Sequence, residues 1–273
     1  MTIETLKQLL GDYGLSPNKT YGQNFLLDEI VLQDMVASAG ISKTDLVLEV
    51  GPGIGNLTKF LLESSKQVIA IEKDPQFVPV LNSLKKKYKN FSYILNDALE
   101  VDLDKELPAG DYKVVANIPY YATGKLVQKF IQTNRKPISM TLLMQKEVAQ
   151  NIVAKPGNLN LLAISVQLFA DPQLIEIVRA EKFYPAPKVD SAVIQIKLHT
   201  KQKYKVDDEK KLFRILKACF SGKRKQIHNT LTKNLGLPKS QVENVLQEIG
   251  LDATARPQEL TIDNWLDLCS KIK

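Results

Sequence analysis

The chain has 273 residues, of which 44% are hydrophobic and 25% charged, with a formal net charge of +7, a balance that fits one large globular domain or one domain plus a small one. No apolar run approaches the length of a membrane span, and the N-terminus carries Glu4 and no apolar signal-peptide core. Two distant cysteines, Cys219 and Cys269, and two histidines, His199 and His228, form no cluster with metal spacing; they argue for a reducing compartment, a cytoplasmic location, and neither a disulfide scaffold nor a metal.

Residues Ile3 to Tyr13 carry the pattern of a short amphipathic helix. The segment Gly14 to Asn24 has loop composition, with Pro17, Lys19 and Gly22. Within it the uncharged amides of Gln23 and Asn24 stand between apolar residues, where they can bond the polar edge of a ligand or cap the loop. Asp28 is placed to cap a helix running to about Gly40. The apolar run Leu46 to Val50 then ends in glycines on alternate positions, Gly51, Gly53 and Gly55. An amphipathic run with Leu57, Phe60, Leu61 and Leu62 on one stripe follows. That predicts a buried strand, a tight turn and a helix. Glycines let the backbone approach a ligand closely, and the helix start offers free N–H groups.

The next apolar run, Val68 to Ile71, ends in Glu72, whose carboxylate can accept both hydroxyls of a ribose. Pro75 marks a helix start, and the helix runs to the Lys85-Lys86-Lys87 tract. Phe91 to Leu95 reads as a strand followed by Asn96-Asp97-Ala98, and Tyr112 to Ala116 as a strand ending in Asn117. Strands alternating with helices imply a parallel sheet. In such sheets ligands bind beyond the carboxyl ends of the strands, which is where Gly51, Glu72, Asp97 and Asn117 fall. Thr123 to Asn134 reads as helix, Ser139 to Met144 as strand and Lys146 to Ala154 as helix. Leu174 to Val178 and Ala192 to Leu198 alternate as strands, with a proline-bearing loop from Phe183 to Ser191 between them. From Asp207 onward the pattern is all-helical, with breaks at Gly222, at Gly236-Leu237-Pro238 and from Gly250 to Pro257. The expected domains are therefore 1–199 and 200–273.

Charge is distributed unevenly. Between Lys201 and Lys239 twelve Lys or Arg stand against three acids, so this stretch carries +9 and the remainder −2. A basic segment beside a neutral body suggests a nucleic-acid phosphate backbone as partner.

The spacing Glu49-x-Gly51-x-Gly53-x-Gly55 departs from the dinucleotide loop G-x-G-x-x-G, because the third glycine comes one residue early and Asn56 takes its place. It resembles the first motif of the S-adenosylmethionine (AdoMet) methyltransferases. Asn117-Ile118-Pro119-Tyr120 is the most specific signal. The exocyclic amine of adenine is a poor nucleophile because its lone pair is delocalised into the ring. An Asn side-chain oxygen and the following backbone carbonyl can accept from its N–H groups and favour a pyramidal nitrogen. Proline fixes the turn without adding a donor, and the tyrosine ring can stack on the base.

With Tyr21-Gly22-Gln23-Asn24-Phe25-Leu26, Gln145-Lys146-Glu147-Val148-Ala149 and Phe183-x-Pro185-x-Pro187-x-Val189-x-Ser191-Ala192-Val193, these motifs resemble the KsgA-type small-subunit (16S) rRNA adenine N6,N6-dimethyltransferases. The resemblance implies a doubly wound, Rossmann-like methyltransferase sheet with a small C-terminal helical domain that binds rRNA. It implies that Asn24 and Leu26 close over AdoMet, that Gly51 and Gly53 lie against its methionine part, and that Glu72 takes its ribose and Asp97 its adenine amine. Asn117 would border cofactor and target, and Tyr120 and Phe183 would sandwich the target base. In the tail, Lys223, Arg224 and Lys225 would grip rRNA phosphates. The implied activity is transfer of methyl groups to N6 of two adjacent adenines in a loop near the 3′ end of 16S rRNA, in the 30S subunit or its precursor, by a monomer. The rival readings are a resistance-type 23S rRNA methyltransferase and a non-catalytic assembly factor; the Phe220-x-Gly222-Lys223-Arg224-Lys225 tail favours the small-subunit enzyme. Lys125 and Leu161-Leu162 depart from the commoner family pattern.

Overall fold

Five apolar runs become the parallel heart of one sheet in a computed structural model that describes residues 1–18, 21–222, 225–252 and 254–272. Strand β2 (Leu46–Val50) is central, with β3 (Gln67–Glu72) on one side and β5 (Tyr112–Asn117) on the other. Strand β4 (Phe91–Leu95) lies outside β3, and β6 (Ser139–Gln145) outside β5, all parallel. Strand β9 (Ser191–Leu198) is antiparallel to β6, and β7 (Ala170–Val178) completes the order β4-β3-β2-β5-β6-β9-β7. The central strands are near-continuous Val, Leu, Ile and Ala because both of their faces are covered.

A separate two-stranded sheet pairs β1 (Phe25–Leu26) with β8 (Phe183–Tyr184), Leu26 opposite Phe183. The stretch read as an unpaired proline loop therefore begins as a strand. Helix α1 (Ile3–Asp12) precedes the first strand, and α2 (Glu29–Ser38), α3 (Asn56–Ser64), α4 (Val78–Lys87), α5 (Leu103–Glu106) and α6 (Thr123–Gln132) intervene between the strands. Asp28 caps α2, accepting from the N–H groups of Ile30 and Val31.

The chain forms two compact units. One is Met1–Ala149 with Asp171–Leu198; the other joins residues 150–170 to the residues from His199 onward. Besides the crossing beside the expected boundary at 199/200, the chain passes between the units twice more, within α7 (Lys146–Ile152) and between Ala170 and Asp171. The cause is α8 (Leu161–Gln167): with Leu159 and Leu168, its Ala163 and Ile164 are buried in one core with Leu212, Leu216 and Trp265. Apolar periodicity reports that a helix has a buried face, not which core receives it. The rest of this unit is α9 (Glu209–Phe220), α10 (Ile227–Leu235), α11 (Lys239–Glu248) and α12 (Ile262–Lys271). Among the described residues no helix is long and apolar enough to cross a membrane, and no cluster of His, Cys, Asp or Glu could hold a metal.

Candidate active site

The site is built at the carboxyl ends of β2, β3, β4 and β5. After Val50 the chain folds back through Gly51, Gly53 and Gly55, with φ of 70°, 53° and 80°. Side chains rarely adopt these values. Space adds a second requirement, since a Cβ on Gly55 would lie 2.6 Å from Leu84 Cδ1. The turn brings the Gly53 N–H to Glu72, donating to Oε2 at 3.0 Å, while the Asp74 N–H donates to Oε1 at 2.8 Å. Glu72 is buried and its pKa is raised, burial outweighing those two backbone donors. Its carboxylate is fixed by the backbone with acceptor capacity left over.

Glu49, in the middle of the sheet, is only 1% exposed. Its Oε2 has no hydrogen-bond partner among the described residues. Burial, set against the Thr58 hydroxyl and reinforced by the negative Glu72, pushes its pKa up to about 8. Asp97, after β4, has its Oδ1 occupied by the Leu99 N–H at 2.9 Å and its Oδ2 by Lys73 Nζ at 2.7 Å.

Asn117 ends β5. Its Nδ2 donates to the backbone carbonyl of Asn24 at 3.3 Å. That bond assigns the amide orientation and leaves Oδ1 as the free acceptor. The Asn24 side chain in turn donates to the Gly22 carbonyl, and Asn56, where a dinucleotide loop would carry glycine, donates to the Leu26 carbonyl at 3.0 Å. Gln23 donates to Asp74 Oδ2 at 2.7 Å. The polar amides of this loop thus serve as its fastenings. Tyr120, just past Pro119, shares a 2.7 Å hydrogen bond with Ser191 Oγ at the start of β9. Ser191 stood in the motif with no assigned role; a serine opening a strand carries no signal for a partner 71 residues away.

These groups line one open cavity enclosing about 1080 Å³ including its mouth, large enough for a nucleoside-sized ligand. Asn24, Leu26, Glu49, Gly51, Gly53, Glu72, Asp97, Asn117 and Tyr120 are all on its wall. Phe183 is not. It is 3% exposed, within the core that contains Leu26 and Val193. Of the expected pair, Tyr120 is on this wall and Phe183 lies in that core; the aromatic residues on the wall are Tyr21, Phe25, Phe77, Tyr120 and Tyr121.

In the helical unit, Lys225 is exposed, and Lys223 and Arg224 lie outside the described residues. Lys125, the departure after the Asn117 motif, is exposed on α6.

A mixed sheet of this order with five parallel strands, a glycine turn and acids at successive strand ends defines a Rossmann-like methyltransferase fold. Two solved structures share it. One is a dimethyladenosine transferase from Plasmodium falciparum (TM-score 0.77, 27% identity, covering 89% of this chain and 95% of that one). The other is the 23S rRNA methyltransferase ErmE (TM-score 0.73, 25% identity, covering 91% and 99%). The model of the ribosomal RNA adenine dimethylases matches residues 14–273, so the chain belongs to that family. It is 38% identical to the ribosomal RNA small subunit methyltransferase A of Dehalococcoides mccartyi strain CBDB1, over 96% of this chain and 91% of that protein. It is 37% identical to the protein of the same name from Clostridium acetobutylicum, over 97% of each.

Proposed function

We propose that this chain dimethylates N6 of two adjacent adenines near the 3′ end of small-subunit (16S) rRNA, using AdoMet, within the 30S subunit or its precursor. The observation that carries the chemistry is the Asn117 amide, held through Nδ2 by the Asn24 carbonyl with Oδ1 free in the cavity. The small-subunit choice is supported by relatives of that name at 37–38% identity over nearly the whole chain, against 25% for the 23S-acting ErmE.

The residues fit the cofactor. Gly51 and Gly53 leave room for its methionine part, the fixed carboxylate of Glu72 suits two ribose hydroxyls, and Asp97 suits an exocyclic amine. Glu49, buried with an unpartnered oxygen, suits a cationic ligand. When bound, AdoMet supplies an already activated methyl group, so the chain's task is orientation and stacking. Asn117 Oδ1 accepts from one N–H of the target amine, with the carbonyl of Ile118 placed for the other. The Tyr120 ring, anchored through its hydroxyl to Ser191, offers a face to the base. No strong base is required, since the alkylated amine gives its proton to water. An unpaired loop base is the cheapest to bring into such a cavity. Lys223, Arg224 and Lys225 hold rRNA phosphates, and the enzyme works as a monomer in the cytoplasm.

The test is labelled AdoMet with under-methylated 30S subunits, followed by mapping of dimethyladenosine. Label in two adjacent adenines of 16S rRNA is expected. Transfer to protein-free 23S RNA and not to 30S particles would reject the small-subunit reading. Cofactor binding without turnover on any rRNA would leave only an assembly factor.

A further inference from the structure

Lys73 follows Glu72 at the rim of the cavity. The sequence gives it no role, and its side chain is 45% exposed. It nevertheless does not point freely into water. Its Nζ lies 2.7 Å from Asp97 Oδ2, spanning the gap between the ends of β3 and β4, and both residues line the cavity. A half-exposed ion pair contributes little to folding stability, so its place on the wall calls for another account.

The groups around the pair act in one direction. The Leu99 N–H holds the other oxygen of Asp97. Lys129, reaching from α6, donates to the Ala98 carbonyl at 2.8 Å and to that of Val101, adding positive charge behind the loop. Tyr21 and Tyr121 line the same cavity as Lys73. Burial works to raise the Asp97 pKa; the Lys73 hydrogen bond, the Leu99 N–H and the charges of Lys73 and Lys129 outweigh it and hold the carboxyl below its ordinary range. The carboxylate is thereby kept ionised and pinned at both oxygens, with one lone-pair direction left on each.

We propose that Lys73 is a positioning residue for cofactor selection: its ammonium holds Asp97 as a charged, oriented acceptor, so that the site takes a purine with a 6-amino group and rejects a 6-oxo purine. This rests on the cofactor reading above. A 6-amino group presents N–H donors to the carboxylate. A 6-oxo group presents an acceptor, which a carboxylate repels and only a neutral, rotated carboxyl could meet. Lys73 suppresses both the protonation and the rotation.

The full-length chain and its Lys73→Met and Lys73→Arg variants would be titrated calorimetrically with S-adenosylhomocysteine and S-inosylhomocysteine, from pH 8 down through the carboxylate range to about pH 3. Wild type should prefer the adenosyl ligand by about a hundredfold, less than the roughly 10⁴-fold of a fully buried polar site because the Asp97 side chain is 24% exposed. In Lys73→Met, affinity for the adenosyl ligand should fall about tenfold, as for loss of one charge-assisted contact. The inosyl affinity should stay unchanged, and the acid limb of adenosyl binding should move to higher pH. Lys73→Arg should restore both. Adenosyl binding in Lys73→Met as tight as wild type or tighter would overturn the proposal, since Lys73 would then be idle or a competitor. Equal losses for both ligands would also overturn it, marking a merely structural role. Failure of wild type to bind either ligand would remove the cofactor reading itself.

Discussion

Replacing Glu49 by Gln keeps the shape of the side chain and removes its ionisation, which makes it a direct test of the electrostatics at the centre of the site. In the unfolded chain this carboxyl titrates at its ordinary value of 4.5; in the fold it keeps its proton up to about 8. Between those values the native state holds a proton that the unfolded state has lost, so stability falls as pH rises. The interval spans about 3.5 units at about 1.4 kcal/mol each, so by pH 8 the penalty approaches ~5 kcal/mol. Glu72, whose pKa burial also raises, pulls the same way and remains in both proteins. For a folding unit of this size 1 kcal/mol moves Tm by roughly 2–4 °C. Without cofactor, Glu49→Gln should melt with wild type at pH 5 and about 10 °C or more above it at pH 8. Circular-dichroism melts of the two proteins across this range supply the measurement. Parallel curves, with a constant gap at every pH, would refute the assignment of a protonated carboxyl at the sheet centre.

Asn117→Ala and Tyr120→Ala should each lower methyl transfer to 30S subunits by at least about a hundredfold, in keeping with loss of a transition-state contact, with near wild-type melting; wild-type turnover in either would remove the mechanism. Ser191→Ala frees the Tyr120 hydroxyl from its 2.7 Å partner and should cost about tenfold in kcat, with the cofactor Kd unchanged; an unchanged kcat would show that Tyr120 needs no anchor. Because Phe183 is buried in the core, Phe183→Leu should keep methyl transfer near wild type with a stability loss under about 1.5 kcal/mol, whereas Phe183→Ala should cost about 3–5 kcal/mol; loss of transfer in a stably folded Phe183→Leu would return that ring to the target base. Changing Lys223, Arg224 and Lys225 together to Ala should weaken rRNA binding and reduce its salt slope by about two units, and an unchanged slope in filter binding at several salt concentrations would clear the tail of phosphate contacts.

The elements of the sheet were legible because each obeys a local rule. A strand covered on both faces is a run of Val, Leu and Ile wherever it occurs: Leu46–Val50 coincides with its run, and Gln67–Glu72 extends the run Val68 to Ile71 by one residue at each end. Asp28 caps a helix through its own second and third neighbours, so four residues suffice to read it. What was not legible depends on partners far away in sequence. Two-residue strands carry no periodicity, so nothing near Phe25 or Phe183 announced that they belong to one small sheet, or that Phe183 shares a core with Leu26. The orientation of Asn117 comes from a carbonyl 93 residues earlier. Nothing local marks Lys73, because its counter-ion is 24 residues on, just past the end of the next strand.

The division has a physical cause. Residues that form the sheet satisfy hydrophobic and capping requirements set by near neighbours, and a single chemical type repeated at a fixed period expresses them. Residues that hold the site satisfy one another across strand ends, and such a match leaves no pattern in either partner alone. Knowing that ligands bind at the carboxyl ends of parallel strands predicts where those matches lie. It names Gly51, Glu72, Asp97 and Asn117 without saying which atom of each is already engaged. The Asn24 carbonyl consumes the Asn117 Nδ2 and leaves its Oδ1, while the Lys73 ammonium and the Leu99 N–H take one lone pair from each Asp97 oxygen and leave the other for a ligand.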